Sequence, residues 1–169
     1  MTANTASGSR LRAQVRVALE NDAPRMIPLI NAAYAVETFI DGTRTDEGRL
    51  AAMMQKGTIL LAEDSSGQLL GCVYTEVRGK RGYLGQLAVD PARQGEGLGR
   101  LMVEAAEEYL RGRGCEALDI TVLSLRPELP PLYHRLGFEE TETGTEEFIH
   151  PIPLKPGFEC HCIVMSKQL

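Results

Sequence analysis

The stretch Val89-Asp90-Pro91-Ala92-Arg93-Gln94-Gly95-Glu96-Gly97-Leu98-Gly99-Arg100 decides how this chain is read. An apolar, β-like run leads into it and an amphipathic helix leaves it. Glycines at three alternate positions mark a backbone that turns tightly and lets something approach closely. A helix that starts just past such a loop offers unpaired N–H groups and the positive end of its dipole, which together suit a phosphate. Two familiar phosphate loops are excluded by spacing. The P-loop needs a lysine and a hydroxyl after its last glycine, and here Gly99 is followed by Arg100 and Leu101. The dinucleotide pattern G-x-G-x-x-G does not fit glycines spaced two apart.

Working outward, the helix after the loop carries the clearest periodicity. Leu98, Leu101, Met102, Ala105, Ala106, Tyr109 and Leu110 fall on one face, with Arg100, Glu104, Glu107, Glu108 and Arg111 on the other. Gly112 and Gly114 end it. Ala117 to Leu123 reads as the next strand, so strand, glycine loop, helix and strand make one crossover unit whose two strands are parallel and buried. Upstream, Gln14 to Leu19 reads as a strand. Asp22 caps a helix reaching Tyr34, with Pro28 forcing either a kink or a later start. A second helix runs from near Thr45 to before Gly57. Thr58 to Glu63 and Gln68 to Val77 flank the hairpin signal Asp64-Ser65-Ser66-Gly67, and Tyr83 to Val89 leads into the loop. Downstream, Pro130 and Pro131 open a short helix that stops at Gly137, and Phe138 to Phe148 and Phe158 to Met165 read as closing strands. The expected fold is a mixed α/β domain: one central mixed sheet of six to seven strands with helices on both faces.

The 169 residues suit one domain. Residues 1–10 read as a loose tail, because Met1 to Gly8 is small, polar and lacks an apolar signal core; residues 11–169 read as the domain. The net charge of -5 and the absence of a basic run argue against a nucleic-acid partner. No apolar stretch is long enough to span a membrane, so a cytoplasmic protein, monomeric or homodimeric, is expected. Cys72, Cys115, Cys160 and Cys162 form no C-x-x-C pair. On a strand, Cys160 and Cys162 point opposite to His161, so the three cannot converge on a metal. No metal is expected.

The loop fits the pattern Q/R-x-x-G-x-G/A as Gln94-Gly95-Glu96-Gly97-Leu98-Gly99, and about thirty residues on comes Leu132-Tyr133-His134-Arg135-Leu136-Gly137-Phe138. Together, and in this order, they resemble the acetyl-CoA loop and the L-Y-x-x-x-G-F segment of the GNAT superfamily of N-acetyltransferases. The resemblance runs from about Gln14 to Lys167. It implies that acetyl-CoA is the co-substrate and that its pyrophosphate meets the backbone of Gln94, Gly95, Glu96, Gly97, Leu98, Gly99 and Arg100. It implies that Leu87, Ala88 and Val89 line the pantetheine arm, and that Tyr133 acts on the departing sulfur as a general acid. The implied reaction is transfer of an acetyl group to a primary amine of a small molecule or peptide, by direct attack in a ternary complex. The alternatives are a non-catalytic acyl-CoA-binding module or an acyltransferase that uses another acyl-CoA.

Two departures from the family bear on the acceptor half. A lysine-like amine is about one part in a thousand neutral near pH 7, so a base or a desolvating pocket must supply roughly 4 to 5 kcal/mol. The strand where the family often carries an acid reads Gly82-Tyr83-Leu84-Gly85-Gln86-Leu87-Ala88-Val89, with none. Glu37 and Asp41, after the first helix, are then the candidate bases, with Glu37 the first choice. The position where many members place a pantetheine-contacting asparagine holds Arg126, with Ser124 nearby. Glu139, Glu140, Glu142, Glu146 and Glu147 would favour a cationic acceptor, whereas Arg44 would favour one carrying a carboxylate. The residues alone do not choose between them.

Overall fold

The computed structural model describes residues 12–141 and 153–169. Seven strands form one sheet in the order β1-β2-β3-β4-β5-β7-β6. These are β1 (Gln14–Val17), β2 (Thr58–Glu63), β3 (Leu69–Arg78), β4 (Arg81–Val89), β5 (Ala117–Leu123), β6 (Glu139–Glu140) and β7 (Cys162–Gln168). Four α-helices accompany them: α1 (Ala23–Ala33), α2 (Glu47–Lys56), α3 (Leu98–Arg111) and α4 (Leu129–Arg135). Among the described residues the one parallel pair is β4 with β5, joined by the α3 crossover; the other neighbours are antiparallel. The mixed α/β architecture follows the expectation from the chain.

Local signals explain most boundaries. Asp46 caps α2 by accepting the Arg49 N–H at 2.8 Å. Asp64 holds the β2–β3 turn through the N–H groups of Ser66 and Gln68. Helix α1 begins at Ala23 and runs through Pro28 to Ala33, so the later start is not what is seen. Only one helical hydrogen bond is forgone there, the one Pro28 cannot donate. The final strand starts four residues later than Phe158, and β6 is short; residues 142–148 of the expected strand lie outside the described residues.

The core lies on both faces of the sheet. On one, α3 buries Leu98, Met102, Val103, Ala106 and Leu110 against Leu60, Val73, Leu84, Leu118 and Ile120. On the other, Met26, Ile30, Leu50 and Met53 of α1 and α2 cover Ile59, Leu61, Cys72 and Tyr74. The buried face of α3 is rotated from the one read off the periodicity: Val103 is inside while Leu101, Ala105 and Tyr109 are half-buried. Glu107, expected on the exposed face, is buried because Lys167 of β7 reaches it at 2.6 Å.

One irregularity positions everything that follows. Arg81 to Leu84 of β4 pair with Ala117 to Ile120 of β5, and the pairing then stops although both strands continue. Over the same stretch, Cys72 faces Ala88 while Tyr74 faces Gly85, so Val73 of β3 stands opposite two residues of β4, Gln86 and Leu87. The extra residue is a bulge, and Gln86 within it has φ +47°, a left-handed value costing a non-glycine residue about 1–2 kcal/mol. The bulge bends β4 away from β5. The parting leaves the β5-facing backbone of residues 85–89 without a strand partner, next to the start of the glycine loop.

Candidate active site

The glycine loop is built for an anion. Asp90 caps a 3-10 turn over Pro91 to Arg93 through the Ala92 N–H, which sets the chain's exit from β4. Gly95 and Gly97 then take φ +84° and +83°, the left-handed region that a side chain would penalise. Gly97 is the N-cap of α3 and supplies no side chain to its first turn. Among the described residues, no acceptor meets the backbone N–H groups of Gly95 through Arg100. Six consecutive donors are therefore left open where α3 begins, at the positive end of its dipole. Glu96, an odd neighbour for a phosphate, has its carboxylate held by Arg93 at 2.6 Å, and Arg100 is held by Glu104 at 3.0 Å.

Gly99 carries a different message. It lies in the first turn of α3, its φ is not positive, and a Cβ built there would meet nothing within 4 Å. Nothing in the protein itself excludes a side chain, yet glycine is a poor helix residue.

Tyr133 stands beside this corner. It is buried in the main core cluster, against which Leu87 and Val89 of β4 also pack, and its ring meets Phe138 edge-on at 5.7 Å. Its hydroxyl has no hydrogen-bond partner among the described residues. Since no fully buried polar side-chain atom there lacks a partner, this hydroxyl must touch open space. Burial, with a smaller push from Tyr83 and an opposing pull from Arg126, raises the phenol to about 12. It therefore stays protonated at neutral pH and can donate. It is also a far weaker acid than a thiol near 8.5, so full proton transfer to a departing thiolate would be uphill by about 5 kcal/mol.

The bulge is fastened from the opposite side. The Tyr34 hydroxyl, raised by burial, donates to the Leu87 carbonyl at 3.0 Å. Arg44 stacks over the Tyr34 ring at 4.4 Å. Arg44 Nη1 also reaches Glu37 Oε2 at 3.0 Å, and Arg126 Nη1 reaches Glu37 Oε1 at 2.8 Å. Glu37 is thus buried with both oxygens engaged by guanidinium groups. Asp41 is exposed. Ser124 accepts the His161 N–H at 3.0 Å, and Arg126 binds Glu128 as well, so both candidates for the missing asparagine already have partners. His134 points to the Phe138 carbonyl. Glu139 and Glu140 are exposed, and the other three acids of that stretch lie outside the described residues.

The acetyltransferase (GNAT) family model matches residues 25–138, most of the chain and all of the site just described. The chain belongs to the GNAT family. Its fold agrees with a Salmonella typhimurium protein solved with its cofactor acetyl-CoA, with a TM-score of 0.70 at 23% identity over 93% of this chain and 94% of that one. A mycothiol acetyltransferase from Propionibacterium freudenreichii is 30% identical over 132 residues, covering 73% of this chain and 42% of that protein. Glucosamine 6-phosphate N-acetyltransferase 1 of Oryza sativa is 35% identical over 99 residues, covering 54% of this chain and 58% of that protein. The chain thus spans about half the length of these curated relatives. Among the described residues of this GNAT chain, no group of three metal-ligating side chains comes together and no helix is long and apolar enough to cross a membrane.

What the chain alone did not reveal is the parting of β4 from β5, the Gln86 bulge and the Glu37 cluster. No motif announces the first two. Gln86 is an ordinary residue in a β-like run, and its φ is imposed by strand register.

Proposed function

We propose that this protein is an acetyl-CoA-dependent N-acetyltransferase acting on a primary amine of a small molecule or peptide. The observation that carries the proposal is the row of unpaired N–H groups from Gly95 to Arg100, opening beside the parted edge of β4. Gln94 to Arg100 hold the pyrophosphate. On the side facing β5, Leu87, Ala88 and Val89 have no strand partner, and apart from the Leu87 carbonyl, which accepts from Tyr34, the backbone there can meet the amides of the pantetheine arm as a neighbouring strand would. The thioester is then delivered toward Tyr133. Holding donor and amine together in this way can contribute several kcal/mol to lowering the barrier. The acceptor nitrogen forms its bond to the acetyl carbon, the carbon–sulfur bond breaks, and the sulfur leaves with the electron pair. Tyr133 stabilises that developing charge through a hydrogen bond that strengthens as the charge grows, rather than by full proton transfer.

Glu37 is ill-suited to be the base. Its two oxygens already accept hydrogen bonds from Arg44 and Arg126, so neither is free to take a proton from an amine. We assign the loss of the amine proton to solvent or to a desolvated acceptor instead. Cys72 and Cys115 are buried free thiols, which suits a reducing, cytoplasmic setting. Residues 11–169 form the catalytic domain on this reading. The relatives named for mycothiol and for glucosamine 6-phosphate support transfer to small-molecule amines.

The test is thiol release from acetyl-CoA across a panel of amines. Acceptor-dependent release that Tyr133→Phe slows, with acetyl-CoA affinity kept, supports the proposal. Tight acetyl-CoA binding with no release for any amine would point to the non-catalytic module.

A further inference from the structure

The Glu37 cluster has more cations than its buried partner can satisfy. Arg44 comes from the segment between α1 and α2, and Arg126 from the turn that leads into α4 and Tyr133. Both side chains are largely inside, 17% and 16% exposed, and Glu37 between them is 2% exposed. This buried trio carries one net positive charge. Glu128, the remaining partner of Arg126, is 59% exposed, and solvent screens it.

The donor count points the same way. A guanidinium has five N–H donors. Glu37 takes one from each arginine and Glu128 takes one from Arg126. Among the described residues nothing else accepts from either group, and Tyr34 stacks on Arg44 through its ring face. No fully buried nitrogen of either group lacks a partner, so the unmet donors reach open space, where an acceptor group can meet them. The arrangement is also pre-ordered. Glu37 holds Arg126 from 89 residues away and Arg44 from 7, which fixes the two forks relative to each other, and Tyr34 fixes Arg44 to the bulge at Leu87. Two fixed forks match the paired oxygens of a carboxylate or a phosphate.

We infer that Arg44 and Arg126, spaced by Glu37, form an oxyanion-recognition site in the acceptor half of the cleft, so that the amine acetylated here carries a carboxylate or a phosphate. The inference rests on the acetyltransferase reading above. It makes Glu37 a positioning residue that holds the two arginines. It also decides between the acceptor classes that the sequence left open: the exposed acids Glu139 and Glu140 meet solvent, whereas the cationic pair is built into the interior.

The test titrates the protein saturated with CoA, so that the pyrophosphate corner is already filled, first with inorganic phosphate and separately with acetate, followed by calorimetry. Saturable binding of either anion that weakens about ten-fold or more in both Arg44→Gln and Arg126→Gln supports the inference; which anion binds more tightly identifies the acceptor's acidic group. Thermal melting confirms that each variant is folded, and the wild-type titration is decisive by itself. No binding of either anion to the CoA-saturated wild type overturns the inference, as does binding indifferent to both substitutions. If CoA itself fails to bind, the acetyltransferase reading falls. The same anion titrations of the free protein and the two arginine variants then still judge the arginine pair.

Discussion

Alanine at Gly99 should make the empty protein more stable and the enzyme worse. The site has no positive φ, and the added methyl would meet nothing within 4 Å, so neither strain nor collision opposes it. What remains is helix propensity, which favours alanine over glycine by up to about 1 kcal/mol in a helix interior and by less in a first turn. A gain of about 0.5 kcal/mol would raise the melting temperature of a chain this size by roughly 1–2 °C. In the complex the same methyl stands where the pyrophosphate presses on the end of α3. Loss of one or two charge-assisted hydrogen bonds, at about 1.5–3 kcal/mol each, weakens acetyl-CoA by about ten-fold or more. Gly97→Ala is the control, because φ +83° makes alanine cost roughly 1–2 kcal/mol there whether or not ligand is bound. Melting without ligand should rise and acetyl-CoA affinity fall for Gly99→Ala, whereas for Gly97→Ala melting should fall and the strain by itself leaves affinity in place. A Gly99→Ala protein that binds acetyl-CoA like the wild type would refute the claim that a ligand explains this glycine.

Three more outcomes follow from the same structure. Tyr133→Phe should lower kcat by about 100-fold or more while leaving the acetyl-CoA Kd nearly unchanged, read from thiol-release kinetics and calorimetry; with the phenol raised to about 12, no loss of activity traceable to Tyr133 should occur below about pH 10. Glu37→Gln should raise KM for an acidic acceptor yet leave the pH of the ascending limb of kcat/KM in place, whereas disappearance of that limb would restore Glu37 as the base. Asp22 is buried among Arg16, Arg25 and the Leu19 N–H, which hold its carboxyl well below the usual carboxylate range. Its proton is therefore bound more weakly folded than unfolded, so its stabilisation is full above about pH 5 and declines as pH falls through and below 4. Asp22→Asn should cost about 1–3 kcal/mol in urea melts at pH 7, less than for a wholly buried pair because Arg16 and Arg25 are 39% and 41% exposed, and the gap should narrow as the pH is lowered toward 2.

The glycine loop and the helix after it were readable from the chain because their conformation is set locally. Glycines at 95 and 97 are demanded by backbone conformation within a few residues, and the helix that follows announces itself by period. Strand β5 at Ala117–Leu123 and strand β2 at Thr58–Glu63 were equally direct, since apolar runs between turn signals leave little freedom. The acceptor half depends on residues distant in sequence. Glu37 read as a free carboxylate becomes a buried counter-ion only when Arg44 and Arg126 arrive from two other segments. Glu107 changed character for the same reason, through Lys167. The parting of β4 from β5 arises from a one-residue mismatch between strands, which no pattern within either strand records.

Calorimetric titration of the wild-type protein with acetyl-CoA and with S-acetylpantetheine, which lacks the pyrophosphate, tests the central claim most directly. If the N–H groups of Gly95 to Arg100 cradle the donor, acetyl-CoA binds at a single site in the micromolar range and acetylpantetheine binds weaker by orders of magnitude. No binding of acetyl-CoA, or equal affinity for the two ligands, would contradict the account.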